Sequence, residues 1–272
     1  MSGSPNLTYR IEGFSFIITL TNPKNLNSMA LDDYLALALL VRQAEKHPDT
    51  RFTVLQSTGR YFSSGGNITA FARASYARDT STSIEGTVVG NMLSRVEFLT
   101  SCFINHSKVL IACLNGPVVG LSAAMVLLCD IVYSMNDQIY MQFPFSTLGL
   151  SSEGALSVSL VKKLGSGVAN EALLLGTPVK YEYLKGNVIS RDYKMNDVES
   201  FNKKVLDDLG SYGQQCHESS LKLIKSLLTK PVQAEYSRAI GDEMYNAVDL
   251  FVKGYPQERF KALSAKLRNS KI

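Results

Sequence analysis

The segment Asn115-Gly-Pro-Val-Val-Gly-Leu-Ser-Ala-Ala-Met-Val-Leu-Leu-Cys-Asp130 joins a predicted strand to a predicted buried helix. The apolar run Val109–Leu114 leads into its Gly-Pro turn, and Gly120 precedes residues that are apolar on every face. The first N–H groups of such a helix have no carbonyl one turn back to bond, so they point outward as free donors. The segment therefore predicts a strand–turn–helix unit that presents backbone donors to a ligand.

A second turn of this kind lies upstream, at Tyr61-Phe-Ser-Ser-Gly-Gly-Asn67, after the predicted strand Phe52–Ser57. Two donor-bearing turns can converge on one oxygen that becomes negatively charged during a reaction. The pair therefore indicates chemistry at a carbonyl group. The simpler explanations are a tight turn that needs positive φ at Gly65-Gly66, and close helix packing at Gly120-Leu121.

Composition and charge argue against several classes of protein. With 45% hydrophobic and 19% charged residues the chain is typical of soluble globular proteins, and no apolar run reaches the roughly 18 residues of a membrane span. The four cysteines show no CxxC spacing, which favours free thiols in a reducing compartment over a metal site. The first residues, Met1–Asn6, lack the basic and apolar parts of a signal peptide.

The net charge of +4 is concentrated at the carboxyl end. Residues 253–272 contain six basic residues and one acidic residue, so the rest of the chain is close to neutral. A general nucleic-acid-binding surface is therefore not expected. The basic tail is open to three interpretations: a solvated helix end, attraction for a phosphate-bearing ligand, or an exposed sorting signal.

The order of predicted elements favours an α/β fold. Strands alternate with helices over residues 1–200, which predicts a catalytic core with largely parallel sheets. Residues 201–272 are helical only and should pack on that core or on another subunit. Helix breaks are expected at Gly165–Gly167, Gly176, Gly186 and Lys230-Pro231. The predicted strands are two within Tyr9–Leu20, then Phe52–Ser57, Lys108–Leu114, Ile131–Ser134 and Gln138–Met141, and the predicted helices include Ala30–Glu45 and Thr87–Asn105.

Taken together, these motifs resemble the crotonase, or enoyl-CoA hydratase/isomerase, superfamily over residues 9–200. The resemblance implies a spiral core of ββα repeats that binds an acyl-CoA thioester, with no cofactor and no metal. It also implies that the N–H groups of Gly66 and Leu121 form the oxyanion hole, and that Ser64, Gly65, Asn67 and Gly120 bind substrate beside them. The matching motifs are Asn22-Pro with Leu26-Asn27-Ser28, Gly59–Gly66, Lys108–Pro117, Gly120, Cys129–Tyr133, Phe143–Phe145 and Leu148–Leu150.

Hydratases of this superfamily carry two glutamates near the reacting carbons, and this chain matches neither. The first position, three residues after Leu121, is Ala124. The second, beside the proline of the following loop, falls in Phe143-Pro144-Phe145. Addition of water needs one group to activate the water and another to handle the proton, so ordinary hydratase chemistry is not expected.

One acid remains in the same region, in Leu148-Gly-Leu-Ser-Ser-Glu-Gly-Ala155. This motif is similar to that of fungal peroxisomal Δ3-Δ2-enoyl-CoA isomerases, in which the glutamate is the catalytic base, and it implies that role for Glu153. The alternative from spacing alone is an acid at the start of a helix. Gly120–Ala124 also resembles a nucleophile elbow around Ser122, but its final glycine is absent and the three histidines are distant in sequence.

The resemblance implies an isomerase that moves the double bond of an unsaturated fatty acyl-CoA from C3 to C2 in β-oxidation. The alternatives are a dienoyl-CoA isomerase, a weak hydratase, a serine hydrolase, or a non-catalytic acyl-CoA-binding paralogue. A homotrimer or homohexamer is expected, with residues 201–272 at the interface. The terminal Ser270-Lys271-Ile272 is similar to the peroxisomal address Ser-Lys-Leu, which predicts an import receptor as partner and a peroxisomal matrix location.

Overall fold

The computed structural model describes residues 4–74 and 83–269, so the predicted import signal at 270–272 lies outside the described residues. The strands are β1 (Leu7–Glu12), β2 (Ser15–Leu20), β3 (Phe52–Ser57), β4 (Val109–Leu114), β5 (Val118–Val119), β6 (Ile131–Ser134), β7 (Tyr140–Gln142), β8 (Val179–Lys180) and β9 (Arg191–Asp192). The helices are α1 (Leu31–Lys46), α2 (Ile68–Ala74), α3 (Ile84–Val88), α4 (Ser94–Ile104), α5 (Gly120–Leu127), α6 (Leu156–Leu175), α7 (Tyr181–Leu184), α8 (Val198–Gln215), α9 (Glu218–Val252) and α10 (Tyr255–Asn269). A π-helical turn, Val89–Leu93, joins α3 to α4.

A sheet of order β1-β2-β3-β4-β6-β9 forms the centre of the molecule. Its strands run parallel except for the antiparallel hairpin of β1 and β2. Neighbouring residues of the central strands alternate between two apolar cores, as Val54 and Leu55 do, because both faces of the sheet are covered. The expected α/β architecture with largely parallel strands is confirmed.

A smaller sheet of order β5-β7-β8 brings the two glycine-rich turns together. Strand β5 immediately precedes α5, and its Val118 also forms a parallel bridge with Ser63 in the upstream turn. The two turns are therefore neighbours in space although they are distant in sequence.

The C-terminal helices complete both cores. Phe201 and Leu209 of α8 lie in the core on one face of the sheet, whereas Ala247 of α9 and Phe260 of α10 lie in the core on the other face. These helices therefore pack on the first part of the chain, and their role in oligomerisation stays a prediction. Within the described ranges, no helix combines the length and the apolar character needed to cross a membrane.

The predicted helix break at Lys230-Pro231 is wrong, because α9 continues through Pro231 over 35 residues. A proline inside a helix removes one hydrogen bond and crowds the preceding turn. Tertiary contacts on both sides offset this cost. The ammonium of Lys225 donates to the carbonyl of Lys108 at 2.6 Å, and Ala247 is buried in the core after the proline.

Smaller differences concern element ends. Strand β7 begins at Tyr140 rather than Gln138, and α8 begins at Val198. The predicted break at Gly165–Gly167 is confirmed, because Gly165 has non-helical backbone angles (φ of 77° and ψ of 162°) that divide α6 into two helical parts. The helix ends at Gly176 in a left-handed cap, as predicted.

Candidate active site

Backbone hydrogen bonds hold the two glycine-rich turns against each other. The N–H of Val119 donates to the carbonyl of Ser63 at 3.0 Å, and the N–H of Phe62 donates to the carbonyl of Pro117 at 3.0 Å. Between them, Gly65 has φ of 82°, and a Cβ there would lie 2.7 Å from the carbonyl oxygen of Val119. Only glycine allows so close an approach in this conformation, so the turns can meet only with glycine at position 65.

The two predicted oxyanion donors lie on either side of this contact. Leu121 is in the first turn of α5, where a helix leaves its N–H groups without a carbonyl partner. In the upstream turn, the N–H groups of Ser64 and Asn67 donate to Leu26 and Met29. Within residues 4–74 and 83–269, no acceptor is recorded for the N–H of Gly66 or of Leu121. Both groups line the same cavity and are available to a ligand oxygen.

A chain of buried hydroxyl groups lies beneath the donors. The Ser63 hydroxyl donates to the carbonyl of Asn27 at 2.8 Å and lies 2.9 Å from the Ser122 hydroxyl, which lies 3.3 Å from that of Tyr34. Each hydroxyl has one proton, so Ser122 must donate to Ser63 and Tyr34 must donate to Ser122. The chain therefore links α1 to both turns.

This chain accounts for Ser122 without nucleophilic catalysis. The side chain is buried, and its partners are two hydroxyl groups. The buried histidine, His106, is hydrogen-bonded instead to Thr53 at 2.8 Å and paired with Glu45 at 3.0 Å. No described histidine contacts Ser122, so the geometry does not support the serine hydrolase alternative.

An apolar cavity of about 540 Å³, counted with its open mouth, contains the donors. Tyr34, Phe71, Phe145 and Phe260 contribute aromatic walls. Phe71 stacks on Phe260, with ring centroids 5.9 Å apart, so a residue of the last helix closes part of the wall. Among the described lining residues, Glu153 is the sole carboxylate. Such a cavity suits a largely apolar ligand with one reactive polar group.

The carboxylate of Glu153 is buried, with 7% of the residue exposed. Burial, together with the nearby negative charge of Glu243, raises the pKa of Glu153 to about 8. In the part of the chain that the structure describes, no hydrogen bond or ion pair to this carboxylate is recorded. The helix-capping alternative is not observed, because α6 begins at Leu156 with Ala155 as its N-cap. A buried, unpaired carboxylate of raised basicity is the form expected of a general base.

The loop that carries Glu153 packs directly on α5. Gly154 has φ of 76°, and a Cβ there would lie 2.7 Å from the Cβ of Ala124. Glycine is therefore required at position 154, immediately after Glu153, for the loop to pack this closely on Ala124.

Of the remaining predicted substrate-binding residues, Gly120 lines the cavity, whereas Ser64, Gly65 and Asn67 do not. Ser64 and Gly65 belong to the upstream turn, and the Asn67 side chain accepts from the N–H of Ala70 at 3.0 Å in the first turn of α2. Gly120 lines the cavity with φ of 61°. Their roles toward substrate stay predictions.

The residues that the sequence analysis did not predict for the site include Tyr34 and Glu243. Tyr34 of α1 lines the cavity, and Glu243 of α9 bonds the start of α6. The apolar spacing of both helices carried a signal. Glu243 shares a helix face with Ala239, Ile240, Met244 and Ala247, and an acid on such a face indicates a buried partner.

Comparison with solved structures defines the class first. The chain superposes on an enoyl-CoA hydratase from Mycobacterium avium subspecies paratuberculosis with a TM-score of 0.81, covering 96% of this chain and 100% of that one at 18% identity. An enoyl-CoA hydratase/isomerase from Acinetobacter baumannii gives a TM-score of 0.78 at 23% identity, covering 97% of this chain and 99% of that one. The protein therefore has a crotonase-like α/β fold, as the sequence predicts.

Residues 14–261 match the family model described as enoyl-CoA hydratase/isomerase, and the chain belongs to this family. It is 41% identical to a 3,2-trans-enoyl-CoA isomerase of Saccharomyces cerevisiae, over 98% of this chain and 96% of that protein. It is 38% identical to a Delta(3,5)-Delta(2,4)-dienoyl-CoA isomerase of the same organism, over 99% of this chain and 100% of that protein. The predicted family and the predicted enzyme class, an isomerase, are confirmed.

Proposed function

We propose that the protein is a Δ3-Δ2-enoyl-CoA isomerase that moves the double bond of an unsaturated acyl-CoA from C3 to C2. The observation that carries this proposal is one buried carboxylate, Glu153, in a cavity with two free backbone donors, Gly66 and Leu121. The similarity to a yeast 3,2-trans-enoyl-CoA isomerase supports the choice of reaction.

The reaction requires the transfer of one proton. Glu153 removes a proton from C2, and the electrons of that C–H bond move toward the thioester carbonyl to give a dienolate. The N–H groups of Gly66 and Leu121 stabilise the negative oxygen, and each such donor typically contributes a factor of about 10² to 10³ in rate. The same proton returns at C4, the C2–C3 double bond forms and the carboxylate is regenerated.

One carboxylate is sufficient because no other atom enters or leaves. The reaction consumes no water, transfers no net electrons and therefore requires no cofactor. The pKa of Glu153, raised to about 8, suits a base that takes a proton from carbon near neutral pH. The apolar cavity excludes water that would otherwise protonate the dienolate.

A dienoyl-CoA isomerase is the second candidate, since a relative with that name is 38% identical over nearly the whole chain. That reaction moves two double bonds, from positions 3 and 5 to positions 2 and 4, and transfers a proton from C2 to C6. A single carboxylate would have to move the proton over a longer distance, because C2 and C6 are further apart than C2 and C4. Weak hydratase activity and a non-catalytic binding role are the remaining alternatives.

Separate incubations with 3-enoyl-CoA, 2-enoyl-CoA and 3,5-dienoyl-CoA, analysed by chromatography and mass, test the proposal. The expected result is conversion of 3-enoyl-CoA to a 2-enoyl-CoA of unchanged mass. Gain of one water would indicate a hydratase, release of free CoA a hydrolase, and turnover of the dienoyl substrate alone a dienoyl isomerase. Binding without turnover of any of the three would overturn an enzymatic role.

The wider assignment follows from this reaction. The protein would act in β-oxidation of unsaturated fatty acids in the peroxisomal matrix, with an import receptor reading Ser270-Lys271-Ile272. Fusion of the last ten or so residues to a fluorescent protein tests the signal, and the full-length fusion tests the compartment. A cytosolic distribution of the full-length fusion would contradict the location.

A further inference from the structure

We infer that Glu243 is a positioning residue for the proposed base: its carboxylate fixes the loop that carries Glu153 and places a second acidic group beside it. This inference goes beyond the proposed reaction but rests on it for its kinetic test. It concerns a residue of α9, in the helical region for which the sequence predicts only oligomerisation.

The geometric part rests on the contacts of Glu243. Its Oε2 accepts from the N–H of Ala155 at 2.8 Å, and its Oε1 accepts from the N–H of Ser157 at 2.9 Å and from the Ser152 hydroxyl at 3.2 Å. The bonds thus bracket Glu153, with one partner before it and two after it. All three partners donate, which is the arrangement of an ionised carboxylate.

Glu243 replaces a local cap. The N-cap residue of α6 is Ala155, which has no side-chain acceptor and has a left-handed φ of 60°. The free N–H groups at the start of α6 would therefore lack partners, and the left-handed conformation of Ala155 is unfavourable for a residue with a Cβ. The carboxylate from α9 satisfies these donors and faces the positive end of the helix. Without it, the loop before α6 loses the bonds that hold its shape.

The electrostatic part concerns the groups that face Glu153. From α9 the charged neighbour is Glu243, and from α1 the titratable neighbour is Tyr34, whose pKa burial raises above its ordinary value. From α5 and α10 the cavity presents Leu121 and Phe260, which are apolar. Burial is the larger cause of the raised basicity of Glu153, and Glu243 adds to it. Among the described residues, Glu243 is thus the charged neighbour of Glu153 that a substitution can neutralise without changing the cavity lining.

The helix gives Glu243 a rigid support. Before Pro231 in α9, Lys225 pairs at 2.7 Å with Asp130, which follows α5 in the chain. After Pro231, Ala239, Ile240 and Met244 are buried in the core. The carboxylate therefore belongs to an element held at two places, which a positioning role requires.

Two variants distinguish the effect of the charge of Glu243 from the effect of its side-chain length. Glu243→Gln keeps the size, removes the charge and replaces one accepting oxygen by a donating NH2 group. Loss of the charge should move the acid limb of the kcat/KM profile to lower pH by about half a unit to one unit. The plateau rate should fall several-fold, since a less basic carboxylate abstracts protons more slowly. Glu243→Asp keeps the charge and shortens the side chain, so kcat should fall at every pH with little change in KM and no shift of the limb.

Glu235→Gln is the matched control. Glu235 also lies on α9 and pairs with Lys162 of α6 at 2.9 Å, but it is half exposed and remote from the cavity. This variant should keep the wild-type pH profile and a kcat within about twofold of wild type, in line with the small energies of surface ion pairs.

A measurement without turnover makes the inference independent of the proposed reaction. At each pH from 5 to 9, the thermal midpoint of the Glu153→Gln variant is compared with that of its parent. The increase reports the free-energy cost of ionising the buried Glu153. That increase should be smaller in the Glu243→Gln background, as a coupling between the two sites. If wild type isomerises no enoyl-CoA, the proposed function fails, and this cycle still decides the present inference.

The inference is overturned if Glu243→Gln leaves the acid limb in place and the coupling is absent. If Glu243→Gln does not fold, Glu243→Asp decides: a lowered kcat with unchanged KM supports positioning, and an unchanged kcat refutes it.

Discussion

The hydroxyl groups of Ser63 and Ser122 lie 2.9 Å apart and tie the two glycine-rich turns together beneath the free N–H groups of Gly66 and Leu121. The bond is buried and is continued by Tyr34. It joins side chains, whereas the other bonds between the turns are made by the backbone. The spacing of the two donors is thus set in part by a single hydrogen bond.

Ser122→Ala should therefore loosen the donor pair. Two buried hydroxyl groups lose a partner, so we expect a loss of stability of about 1–3 kcal/mol. Misplaced donors should lower kcat by about tenfold or more, short of complete loss. Chemical denaturation and steady-state kinetics measure both effects. Tyr34→Phe, which removes only the end of the chain, is the milder comparison, and complete inactivation by Ser122→Ala would instead favour a nucleophile.

Glu153→Gln should remove isomerisation while keeping affinity for acyl-CoA. The amide has the same shape but cannot accept the C2 proton, and loss of a general base typically costs about 10² to 10⁴ in rate. Calorimetric titration with a saturated acyl-CoA and a turnover assay separate binding from chemistry. Retention of more than about a tenth of the wild-type rate would show that another group is the base.

The pH dependence of activity should follow the ionisation of Glu153. The base works only when deprotonated, and its pKa is raised to about 8, so kcat/KM should rise by about tenfold per pH unit below that value and level above it. A profile already level at pH 5 to 6 would mean that the base titrates in the ordinary range of a carboxyl group.

The same shift has a consequence for stability. The folded-state pKa, about 8, lies above the ordinary value of 4.5, so folding favours the protonated acid. This contribution is complete below about pH 4.5 and is lost as the pH rises toward 8, where the folded protein must bury a charge. The increase in folding stability that Glu153→Gln produces should therefore grow as the pH rises from about 4.5 to about 8. Thermal midpoints of the two proteins across this range provide the measurement.

Leu121→Pro tests the second donor. Proline removes the N–H at a first-turn position where its ring is tolerated, so turnover should fall by about 10² to 10³. Leu121→Ala is the matched control, since it trims the cavity wall but keeps the N–H and should affect KM more than kcat. A folded proline variant with the wild-type rate would remove Leu121 from the oxyanion hole.

The exposed face of α9 favours the predicted assembly into an oligomer. Leu223, Ile224, Leu227 and Leu228 of α9 are each more than half exposed, which is unusual for a cluster of four large apolar side chains. We expect light scattering to show a trimer or a dimer of trimers. Replacing Leu227 and Leu228 together by Glu should release smaller species, whereas Ile11→Glu on the edge strand β1 should not. An active wild-type monomer would contradict the prediction.

The sequence predicted the parts of the site that local pattern determines. The two turns follow from strands that end in glycine-rich segments, and Glu153 follows from a motif in a short loop. Pro231 shows the opposite case, because a local helix breaker is overridden by contacts of Lys225 with distant residues. Glu243 was not predicted for the same reason, because its partners in α6 are distant in sequence. The apolar helix face around Glu243 indicates a buried partner, but only the tertiary fold shows that this partner is the start of α6.

The long helix α9 also limits how this protein can exchange segments with its relatives. A hybrid joined near residue 200 takes Glu153 from one parent and the carboxylate that faces it from the other. Such a hybrid should retain the pH response of the first parent only if the second parent supplies an acid at position 243. Glu153 and Glu243 are thus encoded by separate segments of the gene. Recombination between paralogues near residue 200 would alter the basicity of Glu153 while leaving its neighbours in sequence unchanged.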